Sequence, residues 1–210
     1  MVPPPMALLV GLLAITILSL LVLAWRPSIT RAPGGKMLAF AALFLSPGLA
    51  VFAGGFDHLE QSKRTDFCLS CHVMEPYGKS LHVDDNEFIP AVHYQNNYVP
   101  RDEACYTCHT DYVMYGTLRS KMRGLRHMKV QFFGTIPDTI HLYTPYNNRE
   151  CLHCHGGARK FLKAGAHRGE ESFFADVTSG KRSCLESGCH DVAHNVHELS
   201  DATFWKEGQP

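Results

Sequence analysis

The eight cysteines of this 210-residue chain fall into four close pairs: Cys68/Cys71, Cys105/Cys108, Cys151/Cys154 and Cys184/Cys189. A histidine directly follows the second cysteine every time: His72, His109, His155 and His190. Two thiols at C-x-x-C spacing can each add to one vinyl group of a single porphyrin, and the next histidine is then held under the iron as proximal ligand. Four disulfides or a zinc module would leave the repeated histidine without a reason. The fourth motif, Cys184-Leu-Glu-Ser-Gly-Cys189-His190, has four intervening residues instead of two. It follows three standard copies and uses the last cysteines, so it counts as a fourth site. Gly188 lets the longer loop fold back without a Cβ clash. The expected cofactor is therefore four covalently bound haem c. The first copy extends to C-x-x-C-H-x-M, and its Met74 brings a thioether beside the same ring, as an axial ligand or as packing.

Something must hold these motifs, and the chain offers two kinds of material. Met6 to Trp25 is an unbroken apolar run. As a helix it spans about 30 Å, the thickness of a bilayer's hydrocarbon core. Met1-Val-Pro-Pro-Pro5 has no basic side chain, which argues against a cleaved signal peptide. A second apolar run, Met37 to Phe56, contains Pro47 and several glycines and is expected to span as well. The connection between them carries Arg26, Arg31 and Lys36 and no acid, which places it on the cytoplasmic side. Both ends of the hairpin then lie outside, where covalent haem attachment takes place. The expected location is the bacterial inner membrane, with the haem region on the periplasmic face.

From Asp57 onward, glycine, proline, histidine and charge are interspersed. So short a stretch around four porphyrins has little apolar core of its own, and the rings must supply much of it. The expected architecture is an N-terminal transmembrane helical hairpin followed by a mainly α and loop multihaem domain with little β structure. The expected boundaries are 1–56 for the anchor (helices 6–25 and 37–56), 57–199 for the haem domain and 200–210 for a C-terminal tail. Twenty basic and twenty acidic side chains balance, so no nucleic-acid partner is expected. Nine histidines lie outside the proximal positions: His58, His82, His93, His127, His141, His153, His167, His194 and His197. Low-spin haems draw their second axial ligand from such a pool.

Several stretches resemble the NapC/NirT/NrfH family of membrane-anchored tetrahaem quinol dehydrogenases. These are Cys68 to Met74, His93-Tyr-Gln-Asn-Asn ahead of Cys105, Gly165-Ala-His167 upstream of Gly180-Lys-Arg-Ser-Cys184, and Cys189-His190-Asp-Val-Ala-His194. The likeness covers roughly residues 60 to 197. It implies that His93, His167 and His194 are distal ligands. It also implies that Met74 is the axial or near-axial ligand of the first haem, in place of His72 or beside it. The basic amphipathic stretch Tyr115 to Val130 is similar to a family helix that lies at the membrane surface and carries a quinone-site lysine. Lys121 is the counterpart here. Where one member type has an acidic residue, this chain has His127 and Met128, and His127 could take a quinol proton or cap the first haem. Two apparent spans, the long fourth motif and the missing acid depart from the family.

The resemblance implies electron transfer from a membrane quinol, menaquinol, to a periplasmic redox protein. The departures favour an alternative, an electron-relay subunit of a larger membrane complex without its own quinone site. A terminal reductase is a third reading, and no lysine replaces histidine in any motif to favour it.

Overall fold

The computed structural model describes residues 4–142 and 146–206. Two compact units emerge, Met1–Lys63 and Arg64–Pro210.

The first unit is a pair of helices. Pro4–Trp25 is helical throughout. Its outward side chains are uncovered, with Leu18 62% exposed. A short turn, Pro27–Arg31, leads into the second helix. There Gly35 is required, because a Cβ would lie 1.7 Å from Ile29 O. The second helix runs Pro33–Gln61, longer than the apolar run at both ends. Its start follows Pro33 at the first helical position, and its end is closed by Ser62 Oγ donating to Leu59 O. Pro47 does not break it. A π turn over Ala41–Leu45 widens the helix where the proline ring would meet the carbonyl one turn back. Ser46 Oγ donates to Ala41 O at 3.0 Å, inside that wide turn. Thr16 Oγ1 donates across the hairpin to Ser46 Oγ at 2.9 Å. In hydrocarbon such a contact fixes how two helices face each other.

The second unit consists of short helices and loops. Among the described residues its one long helix is Gly116–Phe133. The others, such as Thr65–Leu69, Ala104–His109 and Asn148–His155, run eight residues or fewer. Among the described residues the sole bridge is Val83 with Phe204, and there is no sheet. Among the described residues the buried apolar set of this unit is thin: Leu81, Ala91, Val99, Ala104 and Val177. A core this small leaves room for prosthetic groups to supply the rest. Thr203 and Trp205 tie the chain after 200 to the domain: Asp84 N donates to Thr203 O, and Trp205 N to His82 O at 2.7 Å. The expected anchor boundary at 56/57 falls inside the second helix, because that helix continues through Asp57–Gln61.

Candidate haem sites

In the second and third motifs, helix geometry does the positioning. Cys105, Cys108 and His109 lie on Ala104–His109, and Cys151, Cys154 and His155 on Asn148–His155. Positions i and i+3 share a face, so each pair of thiols points the same way. The first motif splits: Cys68 is on Thr65–Leu69, Cys71 is extended, and His72 opens a turn that ends at Met74. The fourth motif is a loop. Gly188 takes φ +84°, Cys189 N donates to Glu186 O at 2.8 Å, and His190 N returns to Cys184 O at 3.1 Å. The two extra residues are thus absorbed by a turn that only glycine adopts easily.

The motifs meet in twos. The Cys68 and Cys105 thiols are neighbours, and their interaction lowers Cys68 to about 7 and pushes Cys105 up. Cys151 and Cys184 do the same. One device builds both junctions. Thr65, three residues before Cys68, donates to Arg101 O at 2.7 Å and accepts from Ala104 N at 2.9 Å. Asn148, three residues before Cys151, donates to Val177 O at 2.8 Å and to Arg182 O at 2.6 Å, and accepts from Cys184 N at 2.9 Å. Both side chains are buried. Sequence reasoning missed them, although a polar residue at the same offset before an attachment cysteine was there to be seen.

Three proximal histidines face a second imidazole. Ring centres are 5.8 Å apart for His93 and His155, 6.0 Å for His167 and His190, and 6.3 Å for His109 and His194. An imidazole nitrogen bonds a metal at about 2 Å with its ring centre about 1 Å behind, so two imidazoles on opposite sides of one iron sit about 6 Å apart. The residues present fit the group. Each distal ring is also held by its other nitrogen, as a metal ligand's usually is. His93 Nδ1 donates to Ile89 O at 2.8 Å and His167 Nδ1 to Phe161 O at 2.9 Å. His194 Nδ1 meets Ser80 Oγ at 2.7 Å, and Ser80 donates its own proton to Tyr77 O. Nε2 is the ring nitrogen that these bonds leave over in every case. Burial, with His109 nearby, holds His194 down to about 4. Burial lowers His109 and His155 too. These imidazoles are neutral, the form that coordinates iron.

No second imidazole faces His72 among the described residues. His72 and Met74 share one short turn. Lys121 lies with Nζ 4.8 Å from the Tyr106 ring centre, and its charge also lowers the Cys68 thiol of the first motif. His127 is held below its ordinary value by burial, and its charge is felt at His109 of the second motif. Other histidines are engaged elsewhere. His153 stacks on Tyr112 at 3.8 Å, His82 packs against Tyr94, and His197 meets Thr139 Oγ1. A buried carboxylate, Asp111, joins the second motif to the basic helix through Arg123 at 2.9 Å and Arg119 at 3.3 Å. It also contacts Glu150, whose carboxyl is raised by burial and by that neighbour.

Residues 34–199 match the NapC/NirT cytochrome c family, N-terminal region. The cytochrome c-type protein NapC of Escherichia coli (strain K12) is 23% identical over 189 residues, covering 81% of this chain and 88% of the relative. NapC of Paracoccus pantotrophus is 25% identical over 169 residues, covering 71% and 66%. The cytochrome c-type protein TorC of Escherichia coli (strain K12) is 23% identical over 189 residues, covering 81% of this chain and 45% of the relative. No solved structure matches significantly. With two apolar helices ahead of thiol pairs arranged for covalently bound haem c, the chain is a membrane-anchored c-type cytochrome of electron transfer, and it belongs to the NapC/NirT cytochrome c family.

Proposed function

We propose that this chain takes electrons from a membrane quinol, menaquinol, and passes them to a redox partner at the periplasmic face of the bacterial inner membrane. Bound haem supplies one-electron redox chemistry, which side chains lack. Four haems are held, through Cys68/Cys71, Cys105/Cys108, Cys151/Cys154 and Cys184/Cys189. The observation that carries the reading is the set of three imidazole pairs beside a first motif for which the described residues offer none. His155 with His93, His109 with His194, and His190 with His167 are the ligand pairs. Paired imidazoles favour low potentials. His72 and Met74 lie on one turn, so one of the two is the proximal ligand of the first haem. That leaves this haem weakly ligated and distinct from the others.

Lys121 is the polar contact for the quinol, because its charge reaches the first motif at Cys68. His127, on the same helix and held below its ordinary value, is able to accept a quinol proton. The cationic connection at Arg26, Arg31 and Lys36 supports a cytoplasmic hairpin turn and an outward haem domain.

The test is reduction of the haem-loaded protein in detergent by a menaquinol analogue. Lys121→Leu is expected to slow it about tenfold or more, the worth of one charge-assisted contact, with haem content still four per chain. Unchanged turnover in that variant removes Lys121 from the quinol site. The second reading, a relay subunit within a larger complex, is favoured by the second apolar helix and its Thr16 to Ser46 contact. Reduction by dithionite alone, with every haem present, would select it.

A further inference from the structure

We propose that electrons leave this chain through the surface around His167, and that the partner docking there is a protein with a carboxylate-rich rim around its redox centre. The proposal rests on the reading of His167 and His190 as one ligand pair.

Between Gly156 and Gly169 the chain carries Arg159, Lys160, Lys163 and Arg168 and no acidic residue, in a protein of zero formal charge. All four cations are exposed. Lys160 and Lys163 sit three apart on the helix Arg159–Lys163 and share a face. The carboxylates next in line are taken up elsewhere: Glu170 pairs with Arg182 at 3.0 Å and Asp176 with Lys181 at 3.3 Å. Glu171 is the one exposed acid beside the patch that is in no ion pair. The basic helix Gly116–Phe133 is different, because its Arg119 and Arg123 are bound to Asp111 and its Lys121 lies over Tyr106.

The cations are also fixed relative to the imidazole. Phe161, between Lys160 and Lys163, accepts the His167 Nδ1 proton at 2.9 Å, and its ring lies 5.1 Å from His167. Arg168 follows His167 directly. On the other side Phe173 stacks on the same imidazole at 5.0 Å. Exposed cations thus flank, along the chain, an imidazole held by Phe161 and Phe173. An electron crosses only a short gap, so a partner must bring its centre close to this edge. A field of one sign there raises encounter rates by about 10 to 10³-fold and orients the arriving face. Exposed charges also release quickly at physiological salt, which suits a carrier that must leave after each exchange. The exchange forms and breaks no bond: the partner's oxidised centre gains the one electron that this chain loses.

Two probes of opposite charge test it, with the full-length, haem-loaded protein in neutral phosphatidylcholine nanodiscs. Redox-inert cadmium-substituted plastocyanin presents an acidic docking patch. Horse-heart cytochrome c presents a lysine-ringed one. The expected result is salt-sensitive binding of the acidic probe, weakened about tenfold or more in Lys160→Glu/Lys163→Glu and retained in Lys160→Arg/Lys163→Arg. Binding of the basic probe should strengthen in the same charge reversal. Equal behaviour of both probes, or no effect of the reversal, would overturn the proposal. So would an effect confined to anionic phosphatidylglycerol vesicles, which would make the patch a lipid contact. The amplitude of the low-spin signal in His167→Ala separates the two claims: an unchanged amplitude defeats the ligand pair, whereas loss of one low-spin haem of the three, together with failed probe binding by the unsubstituted protein, defeats the docking surface alone.

Discussion

Replacing His194 with methionine raises the midpoint potential of one haem by on the order of 100 mV, within the range of about 0.8 V that axial ligands command. His194 faces His109 across 6.3 Å, with its Nδ1 on Ser80. A thioether in its place donates less to the iron and favours the reduced state. The attachment cysteines are untouched, so haem content stays constant and one wave of the titration moves. Ser80→Ala should shift the same wave in the same direction by less. It removes only the acceptor that makes the imidazole a stronger donor. Spectropotentiometry reads both variants. A titration of His194→Met that overlays the wild type would take His194 out of the ligand set.

The second large effect falls on stability. Asn148 is 7% exposed and makes three hydrogen bonds that join the third motif to the fourth. Asn148→Ala strands two carbonyls and the Cys184 N–H, at a cost of about 3 to 4 kcal/mol. Asn148→Asp keeps an acceptor for Cys184 N but loses both donors, so it should fall close to the alanine variant. Thr65→Val at the matching position breaks two bonds and should cost about 1 to 3 kcal/mol. Denaturant unfolding followed in the haem absorption bands measures each. A value for Asn148→Ala within about 0.5 kcal/mol of wild type would mean the junction is held by something else.

The chemistry of this protein was legible because covalent attachment is local. Cys68, Cys71 and His72 must lie within one turn to grip one porphyrin, so their spacing is written in adjacent letters, and the same holds for the other three copies. The two apolar runs were legible for a similar reason, since length and composition alone state that a helix can cross a bilayer. The second run was expected to span despite Pro47, and the helix does continue, through a π turn that a hydropathy scan does not register.

Tertiary structure decided everything that depends on distant segments meeting. Which imidazole faces which is not a matter of order along the chain. His109 pairs with His194 from near the end, and His93 with the third motif's His155, whereas His167 stays within its own half. Thr65 and Asn148 look like ordinary polar residues until the backbone of the following motif arrives against them. The charge of Lys121 is felt at the first motif only because folding brings Cys68 within its reach. By itself the sequence determined the membrane anchor and the spacing of the four C-x(n)-C-H motifs from which covalent sites and proximal ligands are read, because each is set by residues within one turn or one run. The distal ligands, the paired motifs and the charged face around His167 depended on the fold, because a hydrogen bond or a ligand pair acts only between groups a few ångströms apart, and only folding brings these together.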